Sequence, residues 1–458
     1  EHRRLFGYIR PDKQIEIAAL RVEAVGRSGN VADIQVADVA GPSSTEIHEH
    51  QTIAFWNGAE HTAAVLHRND LQPGMRVTGP AIICEPTSTI WIEPHCNAQI
   101  TDSGTVLIEV GEDSLASGAA GASADNAPDP VLLEVFNNQF VSIAEQMGET
   151  LRRTSTSTNV RERLDFSCAL FDADGRLVVN APHVPVHLGA MGETVRVIIE
   201  DPPRMQRGEV FVTNDPYRGG SHLPDVTVVT PVFVGECDSD EPIAEGRPVF
   251  FVANRAHHAE IGGIVPGSMP PFSTNLAQEG VLIRSRKLVD RGESCEEQIR
   301  QLLATGAFPS RAINDNLADL AAQAASNECG VQLLQSLVRR YSAKIVLGYM
   351  QHIQTAAAKK MRLCLSRLEQ RTHRFEDRLD DGTKICVAIR LNGDEAIVDF
   401  TGTSGLHAGN LNANRAITTA GVLYSFRCLL NEDVPLNAGV LEPLTIVIPE
   451  GLLNPTVG

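Results

Sequence analysis

The chain has 458 residues, 43% of them hydrophobic and 21% charged, a globular composition with room for several domains and a sizeable core. Its 39 Lys and Arg against 57 Asp and Glu leave a formal net charge of −18. That balance argues against nucleic acid or an anionic membrane as partner, because phosphate contacts need clustered cations. No apolar run reaches the roughly eighteen residues of a membrane span, and no charged-then-apolar leader opens the chain. The nine cysteines form no Cys-x-x-Cys pair, which points to reduced thiols and a cytoplasmic location. Cys168 reads as a small buried hydrophobe in an alternating strand.

Along the chain, Ile15–Ile17 and Leu20–Val25 alternate apolar and polar residues as half-buried strands do. Gln72-Pro73-Gly74 signals a turn, and Gly79–Ile83, Ser88–Ile92 and Val106–Val110 read as strands. Residues 1–110 are thus expected to form a small β-rich unit without a catalytic cluster. Residues 111–128, rich in Gly, Ala, Ser and Asp, read as a linker.

Asp129-Pro130 then supplies an N-cap and a proline at the first helical position. Phe136, Phe140, Ile143, Met147 and Leu151 recur at helical spacing. Strands are expected at 166–171, 177–180, 210–214, 226–234 and 249–254. From Ala312 to about Gln370 the pattern is helical, with breaks near Gly330 and Ser342. Strands return at 385–391 and 396–400, joined by the hairpin signal Asn392-Gly393-Asp394. The order of strands, helices and strands implies a multi-domain α+β protein, with 129–458 as a larger mixed unit around a central helical region.

The densest chemistry lies in Thr213–Asp225, where a predicted strand ends in a Gly-Gly turn carrying Asp215, His222 and Asp225. Loops at strand ends are where rigid scaffolds present reactive groups. His222 and Asp225 could converge on one divalent cation; the competing reading is that both aspartates cap turns. A second polar stretch, Asn254–Gly263, also follows an apolar strand, and His257 or His258 could add a third ligand. Two histidines and a carboxylate would leave positions open for water or substrate. Glu260, with Asp215 and His258, supplies candidate acid–base groups. His183 and His187, Arg161, Arg163 and Asp165, and Asn410, Asn412 and Arg415 are candidate substrate contacts. For these an ion-pair network, a buried histidine or simple turn capping is an equally good account.

Glu162–Phe171, Asn180–Met191, Asn214–Asp225, Ala256–Gly263 and Gly409–Ala413 resemble the hydantoinase B/oxoprolinase family over roughly residues 129–458. His2–Gly7 and Gly79–Thr89 are similar to the tail of the hydantoinase A family. The resemblance implies ATP-dependent opening of a small cyclic amide, 5-oxo-L-proline, to glutamate, as in glutathione turnover. It further implies ATP with Mg2+ on the A-type part, a divalent metal on His222, Asp225 and His257, and completion of hydrolysis in the B-type part. The alternatives within the resemblance are hydrolysis of N-methylhydantoin and ATP-dependent carboxylation of ketones; a non-enzymatic scaffold is the other class. The ATP-binding core is expected upstream of residue 1 and the B-type unit is expected to continue beyond Gly458. This stretch alone is therefore expected to have no ATP-coupled turnover, and the whole protein to be a homo-oligomer.

Overall fold

The structure, a computed structural model, describes residues 4, 7, 8, 50–56, 59–110, 128–181, 184–201, 204–234, 246–430 and 436–456. The strands expected at 15–25, the linker up to Ala127 and His183 lie outside them. The chain divides into two compact units, Gln14–Asn126 and Glu1–Lys13 with Ala127–Gly458. The first residues thus group with the larger unit, where Tyr8 is buried in a core with Val210, Leu288, Leu320 and Ala324.

The smaller unit contains β1 (His50–Trp56), β2 (Ala59–His67), β3 (Arg76–Thr78), β4 (Ala81–Cys84), β5 (Thr89–Ile92), β6 (Cys96–Ile100) and β7 (Val106–Val110). They form a β1-β2-β4-β5 sheet and a β3-β6-β7 sheet around Ala81, Ile83, Ile92 and Ile100.

The larger unit begins with α1 (Pro130–Thr154), capped as its sequence dictates: the Asp129 carboxylate accepts from the backbone N–H groups of Val131 and Leu132. After α2 (Thr158–Arg161) come β8 (Phe166–Asp172), β9 (Leu177–Asn180) and α3 (Pro185–Glu200). Then follow β10 (Val210–Thr213), β11 (Asp225–Val232), β12 (Phe250–His257), α4 (Leu276–Glu279), β13 (Arg286–Asp290) and β14 (Glu293–Ser294). The order β14-β13-β10-β11-β12-β8-β9 makes one antiparallel sheet of seven strands.

Helices cover both faces. Val212, Val226 and Val228 pack against Leu317 and Leu320 of α6 (Ile313–Tyr341) and Ile299 of α5 (Glu296–Leu303). On the other face Ala169, Phe171, Val229 and Phe251 pack on Met191, Val195 and Ile198 of α3. This double cover is why β8 is buried at every position, where the sequence suggested an alternating strand. Burial pushes the Cys168 thiol up to about 12, as befits an inert core residue.

Gly330 does not interrupt the helical region. Helix α6 runs through it, and the break comes at Ser342 (φ 70°), before α7 (Ala343–Arg367). The chain closes with β15 (Thr372–Arg378), β16 (Lys384–Asn392), β17 (Glu395–Asp399), α8 (Arg415–Leu429) and β18 (Leu444–Val447). The hairpin expected at Asn392–Asp394 joins β16 and β17. Helix α8 packs on that sheet through Val422, Leu423 and Phe426, and also crosses α3. At the crossing a Cβ on Gly189 would stand 2.3 Å from the Ala420 Cα, so the two backbones meet there without a side chain between them.

Candidate metal centre

Strand β11 starts at Asp225 and β12 ends at His257, and the antiparallel register pairs these two residues directly. The turn before β11 brings His222 back over the same point. Its tightest position, Gly219 (φ 87°), has no room for a side chain, because a Cβ would lie 2.4 Å from the Thr194 amide nitrogen.

The Asp225 carboxylate, 1% exposed, is the hub. Its Oδ2 lies 3.0 Å from His222 Nδ1 and 3.4 Å from His187 Nε2, and its Oδ1 lies 3.1 Å from His257 Nδ1. Ser221 Oγ donates to Oδ2 as well. Burial would raise this carboxyl, but hydrogen bonds from His187, His222 and His257 outweigh it and hold the group well below the ordinary carboxylate value. Burial likewise depresses His257, and the Asp225 hydrogen bond and charge overcome it, so the imidazole ends above its usual value.

One nitrogen from each of His222 and His257 and one Asp225 oxygen lie within 4.8 Å of one another. Donors that share a divalent ion at about 2.1 Å stand roughly 3.0–3.5 Å apart. The separations of 3.0 Å from His222 and 3.1 Å from His257 to the Asp225 carboxylate fall in that range, and the three donors together lie within 4.8 Å. The histidine–carboxylate donor set suits Zn2+, Mn2+, Fe2+ or Co2+ better than the all-oxygen preference of Ca2+.

The alternation of β12 separates the two histidines. His257 faces the cluster, whereas His258 is fully buried against α6, with Nδ1 2.8 Å from Asn316 Oδ1 and Nε2 3.0 Å from Gln323 Oε1. Glu260 accepts from five donors: the Gly262, Arg311 and Ala312 amides, Ser310 Oγ and Asn316 Nδ2. These bonds outweigh burial and lower its pKa, and through them Glu260, the candidate base, anchors the N-terminus of α6. Asp215 caps a turn through the Tyr217 amide and pairs with Arg284 Nε at 2.9 Å. The three acid–base candidates are thus tied into the scaffold.

His187, a candidate substrate contact, instead buttresses Asp225 and pairs its Nδ1 with Ser167 Oγ at 3.2 Å. The Asp165 carbonyl accepts from the His257 amide at 2.9 Å, while Arg161 and Arg163 are exposed nearby in sequence. Asn410 donates to the Pro270 carbonyl, Asn412 braces its own loop through His407 and Gly409, and Arg415 lies 3.6 Å from Glu193.

Three positioning groups were not anticipated. Asn414 caps α8 with its oxygen and donates to the Gly220 and Ser221 carbonyls at 2.9 and 2.8 Å, tying that helix to the metal-side turn. Ser221 and Arg255 complete the inner layer. The sequence did carry a signal for Arg255: a charged residue inside an apolar strand is costly to bury and so marks a site.

The architecture agrees with the comparisons. The hydantoinase B/oxoprolinase family model matches residues 129–457, and the chain belongs to that family. It is 42% identical to 5-oxoprolinase 1 of Arabidopsis thaliana over 98% of its own length, and 42% identical to 5-oxoprolinase of Saccharomyces cerevisiae over 100%. It spans 36% of each of these relatives. Among solved structures it is similar to the ATP-dependent caprolactamase from Pseudomonas jessenii, with TM-score 0.63 and 26% identity over 72% of this chain and 56% of that one. The nucleotide-free acetone carboxylase shares the fold, with TM-score 0.61 and 18% identity over 71% of this chain and 44% of that one.

Proposed function

We propose that this chain is part of an ATP-dependent cyclic-amide hydrolase that opens 5-oxo-L-proline to L-glutamate. The convergence of His222, Asp225 and His257 within 4.8 Å carries the assignment of the reaction centre. The 42% identity to proteins named 5-oxoprolinase supports the substrate. A metal held by these residues would supply a Lewis acid for the oxygen of the amide or of an activated amide. Asp225 would contribute the anionic ligand, and Ser221 and His187 hold its carboxylate in place through Oδ2. His257 is fixed from behind by the hydrogen bond that its backbone N–H donates to the Asp165 carbonyl. The burial of Asp225, at 1% exposure, strengthens its attraction for a bound cation.

A lactam is a poor electrophile, and ATP-driven phosphorylation of its oxygen would turn that oxygen into a leaving group. In this reading the nucleotide and its Mg2+ belong to a part of the whole protein other than the family-matched unit. A role in glutathione turnover follows from the substrate. The free cysteines among the described residues are compatible with the cytoplasm. Among the described residues no helix is long and apolar enough to cross a membrane.

The test has two arms. Metal analysis of this chain should find about one divalent ion in the wild type and a loss of at least about tenfold in affinity in His222→Ala. The whole protein should form ADP in response to 5-oxoproline more readily than to a hydantoin, caprolactam or acetone. Absence of bound metal would remove the centre, and preference for another substrate would remove the substrate assignment.

A further inference from the structure

Arg255 is among the largest fully buried side chains of the described residues, and no carboxylate among those residues lies within salt-bridge distance of it. Its Nε donates to Thr227 Oγ1 at 2.8 Å, and its Nη2 donates to Thr194 Oγ1 at 2.8 Å and the Gly219 carbonyl at 3.0 Å. Nη1 stands 3.5 Å from Ser221 Oγ, the hydroxyl that donates to Asp225. Thr194 Oγ1 itself donates to the Gly219 carbonyl, so this hydroxyl has no proton left with which to oppose the guanidinium. A buried cation served only by hydroxyls and a carbonyl is expensive, and breaking even to neutral would favour an apolar residue here. Arginine at this position therefore calls for an account in terms of charge.

Asp225 is the one acidic group of the cluster, and Arg255 already offsets it. Asp165 and Arg163, which also act on His257, oppose each other. With a divalent ion on neutral histidines, the inner charges are about +2 from the ion, +1 from Arg255 and −1 from Asp225.

We propose that Arg255 is a positioning residue that braces the Gly219–Ser221 turn and leaves the metal-loaded site with a positive charge that recruits an oxyanion, a carboxylate or a phosphate, as the ligand. This rests on the metal assignment made above. It adds that the ligand is selected by charge and not by lactam shape alone. At the effective dielectric of a protein interior, one unit charge several ångströms away changes the affinity for a monoanion by about tenfold or more.

The experiment uses this chain loaded with Co2+, whose visible absorption reports the coordination shell. Acetate, inorganic phosphate and neutral acetamide are titrated against the wild type, Arg255→Met and Arg255→Lys, with folding checked by circular dichroism. Acetate and phosphate should perturb the wild-type spectrum at concentrations where acetamide does not, and the two anions separate carboxylate from phosphate preference. Arg255→Met should weaken anion binding by about tenfold or more, and Arg255→Lys should recover most of it. If Arg255→Met does not fold, Thr227→Asp sets a carboxylate against Nε, neutralises the charge in place and should weaken anion binding similarly. A wild type that binds no Co2+ overturns the metal reading itself. Co2+ binding with anion affinity unchanged in Arg255→Met or Thr227→Asp overturns the role of Arg255 alone.

Discussion

Replacing Asp225 by Asn keeps the shape of the hub and removes its charge. The carboxylate faces three imidazoles at 3.0, 3.1 and 3.4 Å and accepts a fourth hydrogen bond from Ser221, all at 1% exposure. Bonds to a charged acceptor are worth ~1.5–3 kcal/mol each, but four on one group share the same charge and do not add. Asp225→Asn also removes the negative charge that acts through space on the buried Arg255 guanidinium. The expected loss is therefore about 2–4 kcal/mol in the metal-free larger unit, followed by urea denaturation at pH 7. The double variant Asp225→Asn/Arg255→Met removes both charges and should recover about 1–3 kcal/mol of that loss. Because the native carboxyl lies below its unfolded value of about 3.9, its contribution is complete above that pH and fades as pH falls through the native value. The gap between wild type and Asp225→Asn should accordingly narrow below about pH 4. An unchanged midpoint at pH 7, or a gap that stays constant into acid, would refute the charge-hub argument.

Gly189→Ala drives a methyl into the Ala420 backbone at the α3–α8 crossing and should cost about 1–3 kcal/mol or more, read as a lower denaturation midpoint. Glu260→Gln presents amide protons to a helix start that supplies only donors. It should lose about 1–3 kcal/mol while Co2+ affinity stays at the wild-type level, whereas a metal-site role would change that affinity. Tyr8→Ala empties a core position of the larger unit and should cost about 3–5 kcal/mol, measured by thermal unfolding; no change would mean that Tyr8 is not packed there. Ligation displaces protons from His222 and His257, so Co2+ affinity from chelator competition should rise with pH. Since His257 is shifted upward, part of that rise should fall above the usual histidine value of about 6.5.

Local rules made several features readable without coordinates. Asp129-Pro130 starts α1 because a cap and a fixed φ act within one turn, and Asn392–Asp394 turns β16 into β17 for the same kind of short-range reason. The His222–Asp225 turn was visible because three residues suffice to bring the two side chains together. Alternation along β8 was misread, since period-two patterning reports a sheet covered on one side only and this sheet is covered on both. The small unit's β1 and β2 went unread, although Asn57-Gly58 between them in sequence is a strong hairpin signal.

Composition and local pattern were enough for the α+β class and for pairing His222 with Asp225, because each depends on residues close in sequence, while the resemblance of longer stretches pointed to the family. Which of His257 and His258 joins Asp225, that Glu260 anchors a helix, and that His187 reaches Asp225 while Arg255 braces the adjoining turn were decided by the β11–β12 register and by the packing of α3 and α6 on opposite sheet faces. Those contacts join residues tens of positions apart, and an imidazole or carboxylate has no fixed role until the fold determines which donors and charges surround it.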